Sequence, residues 1–437
     1  MKLLGITLVG AVLATGALAE PKETAIDVAP VWAGHPVGFS LLTHKQNQFV
    51  AFYDADRRLT VGSRKLAEAS WHFVKLPESV GWDSHNSIKM AMDDDGCIHL
   101  CANMHAIPLI YFRTAKPLDI NTFVRRRSMI GRDEKQCTYP IFFRGPKGEF
   151  LFTYRSGISG SGDLYYNIYD TKSKTWRRLM EEPLISGEGM RNAYPAPLLV
   201  GPDGYFHMAW IWRDDGRCET NHTICYARSK DLIHWQSAAG KPLTLPITFA
   251  NSDVVDPVPA GAGAINGNVA MGFDSRKRVI ITYQKNDDKG FTQAYNARLE
   301  QGRWKSYQIS SWDYHWAFGG TGCIPFEILI GPVSVADGGR LAQGYTHVKA
   351  GSGKWIVDEA TMALVEDVPL PATAAPPKIA DATSDGLDQR TCADSGSSSE
   401  TGVKYLLRWK TLGVNRDRKR DGDPPPPSML QLVRIDP

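Results

Sequence analysis

Side chains that can transfer protons or bind carboxylates recur at matched positions along the first half of the chain. Each of three consecutive segments opens with His or Tyr, turns at a glycine, and closes with His or Arg. The six residues are His85, His105, Tyr139, Arg155, Tyr194 and Arg213. Histidine and tyrosine can act as acid or base, and arginine binds a carboxylate through two parallel hydrogen bonds. The set therefore indicates proton transfer on an anionic substrate.

The matched positions contain no pair of carboxylates, and this argues against glycoside hydrolysis. Most glycoside hydrolases place two Asp or Glu side chains on either side of the bond that they cleave. Sialidases instead use a Tyr nucleophile, but their S-x-D-x-G-x-x-W repeats are absent from the sequence, and DLIHWQ is only faintly similar to them. Hydrolysis is therefore disfavoured.

β-Elimination on a uronic acid polysaccharide needs three functions that this set contains. An arginine neutralises the C6 carboxylate, a base removes the C5 proton, and an acid protonates the departing O4. In a glucuronate the C5 hydrogen and O4 lie on the same side of the ring, so one side chain can perform both proton transfers. His85 is the first candidate for that side chain, followed by Tyr194 and Tyr139. We expect His105 to orient the substrate or to lower the pKa of its partner.

The elements that carry these residues are predicted to be short β-strands. Alternating runs of aliphatic and aromatic residues are separated by turn sequences such as DDDG, GPKG and GPDG. The turn glycines Gly96, Gly148 and Gly204 lie 52 and 56 residues apart, a spacing typical of the four-stranded blades of a β-propeller. Several units end in a tryptophan that we expect to pack between blades. Because equivalent positions of adjacent blades meet at one end of the channel, the six residues should converge.

The repeat predicts an all-β, seven-bladed β-propeller that forms a single domain over residues 20–437. The blades are drawn at residues 31–78, 82–130, 138–185, 193–246, 252–310, 314–364 and 376–436. The segments TSDGLDQRTCADSGSSSE and NRDRKRDGDPPPP interrupt the last blade and are expected to be exposed loops. The final strand, SMLQLVRI, is expected to pair with the N-terminal segment and close the ring. Two stacked β-sandwiches are the alternative, but that fold does not predict equivalent residues at equivalent positions of successive units.

The N-terminal segment predicts secretion. Residues 1–19 contain one Lys, a long apolar run and the sequence Ala17-Leu18-Ala19, which together are typical of a signal peptide. No later stretch has the length of uninterrupted apolar sequence that a membrane span needs. The net charge of +3 argues against the broad basic surface of a nucleic-acid-binding protein. We therefore expect a secreted, soluble monomer that binds neither membranes nor nucleic acid.

The segment CETNHTIC, with a histidine upstream of it, leaves two interpretations open. In the first, Cys218 and Cys225 form a disulfide across a hairpin tip. In the second, a structural zinc is held by four side chains, which are His207, Cys218, His222 and Cys225. The same segment contains a glycosylation sequon that begins at Asn221, which predicts an exposed position for this asparagine.

The segment WDSHNSIKMAMDDDGCIHLCANMH resembles the H-N-x-x-x-M-A-x-D-x-x-G-x-I-H-x-x-x-N-M-H signature of BNR-type seven-bladed polysaccharide lyases. These include ulvan lyases and the fungal rhamnosyl-α-1,4-glucuronate lyases that release rhamnose caps from gum arabic side chains. The resemblance continues through YPIFFRGPKGEFLFTYRSG, AYPAPLLVGPDGYFHMAWIWR and CYARSKDLIHW. It covers about residues 80–240 well and the remainder weakly.

This resemblance implies which residues line the catalytic groove. They are His85, His105, Tyr139, Arg155 and Tyr194. Asn86, which follows the first motif histidine, and Arg213 are assigned to substrate binding. The resemblance implies no cofactor for catalysis, and it favours the structural zinc in the blade that contains CETNHTIC.

The resemblance also implies a substrate, an acidic polysaccharide that contains rhamnose and glucuronate. We expect cleavage of the rhamnose-α-1,4-glucuronate bond by exo-action, which releases terminal L-rhamnose from arabinogalactan side chains of the gum arabic type. An endo-acting ulvan lyase is the alternative. A non-catalytic lectin for acidic glycans is a third possibility. It would keep Arg155 but gain nothing from two histidines and two tyrosines at matched positions.

Overall fold

The structure, a computed structural model, describes residues 22–370 and 386–437 and consists almost entirely of β-strands. Within these ranges the only helices are two short 3₁₀ turns, Ile120–Thr122 and Cys218–Thr220. No helix in the described residues is long and apolar enough to cross a membrane. The predicted all-β class is confirmed. The signal peptide predicted at residues 1–19 lies outside the described residues.

The first fifteen strands of the described chain lie between residues 23 and 186. In chain order they are β1 (Glu23–Val31), β2 (Ser40–Lys45), β3 (Asn47–Tyr53), β4 (Arg58–Lys65), β5 (His72–Ser79), β6 (Lys89–Met92), β7 (Ile98–Cys101), β8 (His105–Ile107), β9 (Tyr111–Thr114), β10 (Phe123–Arg126), β11 (Cys137–Arg144), β12 (Phe150–Ile158), β13 (Ser161–Asp170), β14 (Thr175–Arg178) and β15 (Ile185–Ser186). Strands β2 to β5 form sheet I, strands β6, β7, β9 and β10 form sheet II, and β8 joins β11 to β15 in sheet III.

Eighteen strands complete the described chain. In order they are β16 (Asn192–Pro195), β17 (Leu199–Val200), β18 (Phe206–Arg213), β19 (Asn221–Ser229), β20 (Trp235–Gln236), β21 (Asp253–Asp256), β22 (Ala270–Phe273), β23 (Val279–Asn286), β24 (Thr292–Glu300), β25 (Arg303–Gln308), β26 (Ile328–Ala336), β27 (Arg340–His347), β28 (Gly351–Asp358), β29 (Leu364–Pro369), β30 (Asp388–Ala393), β31 (Ser397–Ser398), β32 (Lys404–Thr411) and β33 (Ser428–Ile435). Sheet IV contains β16 to β21, sheet V contains β22 to β25, and sheet VI contains β26 to β29. Strands β30, β32, β33 and β1 form sheet VII, and β31 extends the edge of sheet I.

The first and last strands of the described chain pair with each other. Strand β1 runs antiparallel to β33, from Glu23 opposite Ile435 to Val31 opposite Ser428, with one irregularity after Asp27. This pairing covers a strand edge that would otherwise be open to another chain. The prediction that SMLQLVRI pairs with the N-terminal segment is confirmed.

The boundaries of the predicted units differ from the sheets at three strands. Strand β31 was placed in the seventh unit, but it pairs with β2 of sheet I. Strand β8 was placed in the second unit, but it pairs with β11 of sheet III, with His105 opposite Thr138. Strand β21 was placed in the fifth unit, but it pairs with β19 of sheet IV. All three are short strands added to the edge of a neighbouring sheet, and β8 carries His105 to Thr138.

The burial pattern explains why these segments form sheets. Strand β32 alternates between buried and partly exposed residues, whereas all eight residues of β18 are buried. Alternation marks a sheet with one covered face, and a continuous buried run marks a strand covered on both faces. The unit-ending tryptophans Trp176, Trp235 and Trp355 are buried as predicted. A fourth, Trp304, is half-buried, and its indole NH donates to Asp253.

Three turn glycines fix the hairpins that precede the long strands of the site. Gly96, Gly148 and Gly204 have φ angles of +80°, +82° and +78°. Side chains with a Cβ atom rarely adopt this left-handed conformation, and glycine adopts it without strain. The repeated glycine in the sequence is thus explained by the same turn in three successive sheets.

Candidate active site

Four aromatic side chains from adjacent sheets lie in one row. The imidazole rings of His85 and His105 are stacked, with centroids 3.9 Å apart and planes inclined by 24°. The His85 ring lies 5.6 Å from the ring of Tyr139, and that ring lies 6.2 Å from the ring of Tyr194. The structure therefore brings together residues that are far apart in sequence but were predicted to converge.

One arginine lies over each tyrosine ring of this row. The guanidinium carbon of Arg155 is 5.1 Å from the ring centroid of Tyr139, and that of Arg213 is 5.3 Å from the ring centroid of Tyr194. These distances are within the range of attractive cation–π contacts. All six residues predicted from the repeat thus belong to one cluster.

Both arginines are buried, and neither forms an ion pair with a carboxylate within the described ranges. Arg155 donates from Nη2 to the Thr138 hydroxyl at 3.0 Å, while its Nε and Nη1 donate to no atom of the described residues. Among the described residues, Arg213 donates to the carbonyl oxygens of Asp215, at 2.9 Å, and Gly216. A buried charge without a counter-charge is costly. The cluster therefore favours an anionic ligand.

A β-bulge in β11 positions the centre of the row. The register between β11 and β12 shifts between Thr138 and Ile141, and Tyr139 lies in this bulge with a φ of +56°. Bulges re-aim side chains, and a positive φ is unusual for a bulky residue. Thr138 lies opposite His105 on one side and Arg155 on the other. One local irregularity thus sets the positions of three residues of the cluster.

The two tyrosines are perturbed in opposite directions. Desolvation raises the pKa of Tyr139, and the neighbouring Tyr194 adds to this effect. Burial acts in the same direction on Tyr194, but Arg213 and Arg155 outweigh it, so that the pKa of Tyr194 is lowered. Tyr194 therefore releases its proton more readily than Tyr139 and is better suited to act as a base.

Asp83, a residue that the sequence analysis did not single out, holds both histidines. Its Oδ1 accepts hydrogen bonds from Nδ1 of His85 at 2.7 Å and from the backbone NH of His85 at 2.9 Å, and its Oδ2 accepts from Nδ1 of His105 at 2.5 Å. Each ring therefore presents Nε2 to the rest of the site. The available signal was the D-x-H spacing in WDSHN, since an Asp side chain often binds the backbone two residues further on.

The contacts of His85 favour its protonated form. Burial alone would lower its pKa, but the hydrogen bonds and charges of Asp83 and Cys323 outweigh burial and raise the pKa to about 10. The same histidines lower the pKa of Asp83 against the effect of its burial. His85 is thus an imidazolium at neutral pH. This state favours the role of proton donor over the role of base that the sequence suggested.

Two further residues reach the cluster from distant loops and were missed in the sequence. Cys323, between β25 and β26, places Sγ 3.7 Å from Nε2 of His85. Asp417, between β32 and β33, accepts from the backbone NH and hydroxyl of Ser84 at 3.0 and 2.6 Å and from the backbone NH of Cys323 at 2.8 Å. Its side chain is only 9% exposed. The expectation that NRDRKRDGDPPPP is simply an exposed loop is therefore wrong at Asp417.

Asp83 and Asp417 do not supply the carboxylate pair that a glycosidase needs. Burial would raise the pKa of each, but hydrogen bonds from neighbouring His and Ser side chains outweigh it, and the pKa of each is lowered. Neither carboxyl group holds a proton at neutral pH, so neither can serve as the general acid of hydrolysis.

The four residues of the predicted zinc site do not come together. In the β18–β19 hairpin His222 lies opposite Trp212, five residues beyond His207, a separation of about 16 Å along the strand. In the described parts of the chain, the groups with metal-ligand spacing consist of other residues. Cys218 and Cys225 are both free thiols, so the predicted disulfide is not formed either.

Two asparagines that were predicted to face solvent or a ligand are buried. Asn221 has no exposed surface, and its amide donates to the carbonyl of Cys218 at 2.6 Å and to the side chain of Asn266 at 3.0 Å. The expectation of an exposed sequon is therefore wrong. Asn86 is 7% exposed, and its backbone carbonyl accepts from the Tyr53 hydroxyl at 2.8 Å, a contact that helps to hold the loop. The assignment of its side chain to substrate binding stays a prediction.

Solved structures of polysaccharide lyases share the fold of this chain. The crystal structure of polysaccharide lyase Uly1 is 14% identical with a TM-score of 0.60, over 97% of this chain and 94% of that chain. An ulvan lyase from a new polysaccharide lyase family is 12% identical with a TM-score of 0.55, over 90% and 94% of the two chains. A further structure, of such an ulvan lyase bound to -[GlcA(1-4)Rha3S]-, is also 12% identical, with a TM-score of 0.54 and the same coverage.

Sequence comparison identifies the family. No curated protein matches the chain. A family model described as a BNR repeat-containing family member matches residues 47–312, which is more than half of the 437 residues and includes all six residues of the cluster. The chain therefore belongs to the BNR repeat-containing family.

Proposed function

We propose that this protein is a polysaccharide lyase that cleaves a uronic acid polysaccharide by β-elimination. The observation that carries the proposal is the pair of buried arginines, Arg155 and Arg213, that lack a counter-charge and lie beside two tyrosines and two histidines. A uronate carboxylate supplies the missing negative charge. The fold that the chain shares with polysaccharide lyases supports the same assignment.

The proposed reaction begins with proton removal next to the carboxylate. Binding of the carboxylate by Arg213 and Arg155 makes the C5 proton more acidic. Tyr194, whose pKa the same arginines lower, removes that proton. The released electron pair forms the C4–C5 double bond as the C4–O4 bond breaks.

The departing oxygen then needs a proton, and His85 is suited to supply it. Its imidazolium form is stabilised by Asp83, and His105 stacks on it from the other side. Asp83 and His105 therefore act as positioning residues that hold His85 in one orientation. If His85 were instead to act first as base and then as acid, it would have to start as a neutral imidazole. Turnover by the enzyme would then rise only at pH values above the pKa of His85.

We also infer that the seven sheets are the blades of a closed β-propeller over residues 20–437. The pairing of β1 with β33 and the one-sheet-per-unit order along the chain support this arrangement. The signal-peptide pattern in residues 1–19 supports secretion, and we propose a monomer.

The proposed substrate contains rhamnose joined to glucuronate. The motif around His85 resembles lyases for this linkage, and one lyase that shares the fold is bound to -[GlcA(1-4)Rha3S]-. We propose exo-cleavage of the rhamnose-α-1,4-glucuronate bond in gum arabic-type side chains, with endo-cleavage of ulvan as the alternative. Exo-action releases free L-rhamnose, whereas endo-action releases oligosaccharides with unsaturated ends.

The test is to incubate the protein with gum arabic or ulvan and to follow the ultraviolet absorbance of the 4,5-unsaturated uronate. Mass spectrometry then distinguishes rhamnose from oligosaccharides. We expect His85→Ala to abolish turnover, and His234→Ala, which removes an exposed histidine outside the cluster, to leave it unchanged. If neither polymer yields unsaturated product at any pH tested, the lyase proposal is wrong. Polymer binding without turnover would instead identify a lectin.

A further inference from the structure

Cys323, His85 and Asp417 form a compact group of three different metal-ligand types. The Sγ atom of Cys323 is 3.7 Å from Nε2 of His85, and Oδ2 of Asp417 is 3.6 Å from Nδ1 of His85. One ligand atom from each residue lies within 4.8 Å of the other two. None of the three belongs to the zinc set predicted from the sequence, so this group is a separate candidate.

The spacing of Cys323 and His85, and the chemistry of the three side chains, fit Zn²⁺. Tetrahedral zinc, with Zn–S and Zn–N distances of about 2.3 and 2.0 Å, places sulfur and nitrogen ligands about 3.5 Å apart. The observed separation of 3.7 Å between Cys323 and His85 is close to this value. A thiolate, an imidazole and a carboxylate suit zinc, whereas calcium and magnesium prefer oxygen ligands alone.

A buried histidine lies behind the carboxylate of this group. His35 is completely buried, and its Nε2 lies 3.6 Å from Oδ1 of Asp417, a contact longer than a normal hydrogen bond. Metal-bound carboxylates are commonly supported by a second polar group. His35 is placed to give that support when a cation draws the carboxylate into coordination.

Ser84 and one backbone amide already hold the ligands in place. The hydroxyl of Ser84 lies 2.9 Å from Sγ of Cys323 and donates to Oδ1 of Asp417 at 2.6 Å. The backbone NH of Cys323 donates to Oδ2 of Asp417 at 2.8 Å. The three ligands come from segments far apart in sequence, yet these contacts fix their separation before any ion arrives, which reduces the cost of binding.

We propose that this group is a Zn²⁺ site formed by Nε2 of His85, Sγ of Cys323 and a carboxylate oxygen of Asp417, with water as the fourth ligand. The thiolate of Cys323 and a neutral imidazole of His85 are the forms that can bind the metal. One consequence rests on the proposed function. Zinc inhibits the lyase, because a histidine whose Nε2 is bound to the metal cannot protonate the leaving group.

Isothermal titration calorimetry with zinc chloride on the metal-stripped full chain tests binding without reference to activity. We expect one ion per chain, and an affinity at least about tenfold weaker in Cys323→Ser. Cys392→Ser is the matched control, because Cys392 is also a half-buried free thiol but lies outside the group. This control should bind zinc like the wild type. Thermal unfolding establishes that each variant is folded.

Cobalt(II) in place of zinc reports on the ligand itself. We expect a thiolate-to-cobalt charge-transfer band in the wild type and in Cys392→Ser, and no such band in Cys323→Ser. Failure of the wild type to bind zinc, or equal affinity in Cys323→Ser, overturns the proposal. Calorimetry tests the zinc site even if the protein proves not to be a lyase. If it is one, zinc should abolish turnover and a chelator should restore it, and full activity of the zinc-loaded protein would refute the inhibition.

Discussion

Replacing Asp83 by asparagine removes the carboxylate that holds both histidines and keeps the size of the side chain. The two oxygens of Asp83 lie 2.7 and 2.5 Å from the Nδ1 atoms of His85 and His105. An asparagine has one acceptor oxygen, and its NH₂ group cannot accept from a protonated Nδ1. In Asp83→Asn at least one of the two imidazole rings must therefore lose its partner or turn over.

The raised pKa of His85 sets the size of the effect. A pKa of about 10, against an ordinary value of 6.5, corresponds to roughly 5 kcal/mol in favour of the imidazolium. Asp83 and Cys323 both contribute against burial. If Asp83 supplies half of the net shift, its loss lowers the pKa of His85 by roughly two units.

The sign of the stability change follows from the direction of this shift. Because the pKa of His85 is raised by folding, the charge pair stabilises the fold fully below about pH 6.5, and this contribution is lost as the pH rises through about 10. At neutral pH, Asp83→Asn should therefore lower the free energy of unfolding by roughly 2 kcal/mol. Urea unfolding at neutral pH and at pH 10 measures the difference, which should shrink at the higher pH.

The pH dependence of kcat tests the catalytic part of the same argument. If His85 is the proton donor, the alkaline limb of wild-type activity lies near pH 10, and in Asp83→Asn it should move to about pH 8. At neutral pH kcat should fall by about 10² to 10⁴, as when a triad loses its aspartate. Asp203→Asn removes the partner of His207 in another sheet and is the control. Normal turnover and an unshifted limb in Asp83→Asn would refute the reasoning.

Three further variants test separate parts of the site and fold. Arg213→Lys keeps the charge but loses the planar fork, so KM for the polymer should rise by about tenfold, and steady-state kinetics with an unchanged KM would contradict a contact with substrate. Tyr194→Phe keeps the ring but removes the proposed base, so kcat should fall at least about 100-fold while calorimetry shows normal substrate binding, and retained turnover would assign the base elsewhere. Trp355→Ala empties a position that is 1% exposed and should cost about 3–5 kcal/mol in urea unfolding; a loss below 1 kcal/mol would show that the site collapses without penalty.

The convergence of the row could be predicted from the sequence because each unit repeats the same local rules. Gly96, Gly148 and Gly204 occupy equivalent turns, and the residues that open and close their hairpins therefore occupy equivalent places in successive sheets. Side chains at equivalent places meet when repeated units pack in order. This argument needs no knowledge of which strands pair beyond each hairpin.

The residues that tune His85 could not be found in this way. Cys323 lies 238 residues beyond His85, and Asp417 lies in a segment whose composition predicts solvent exposure. An Asp in such a segment becomes buried only where donors offset the loss of water, and here the donors are the hydroxyl and backbone NH groups of Ser84 and Cys323. Contacts of this range depend on how loops from distant sheets pack together, which no local pattern in the sequence specifies.

Strand register explains why the predicted zinc site failed. Spacing in the sequence places His207 and His222 on the two strands of one hairpin, but it does not say which residues face each other. In the structure the hairpin closes so that His207 lies opposite Arg228 and His222 lies opposite Trp212. If the hairpin were longer or shorter by a few residues, every one of these cross-strand pairs would change. A set of metal ligands is therefore harder to predict when it spans two strands of a hairpin than when it lies along one strand.

The distribution of charge along the row determines how a uronate can enter it. At one end Asp83 and Cys323 hold His85 as a cation, and Oδ2 of Asp417 lies 3.6 Å from its Nδ1. At the other end Arg155 and Arg213 have no counter-charge among the residues that the structure describes, and they lower the pKa of Tyr194. A carboxylate is attracted to the arginine end and repelled by the two aspartates at the histidine end, so the leaving oxygen is directed towards His85. The same charges that place the substrate therefore also separate the base from the acid, and this is the order of groups that elimination requires.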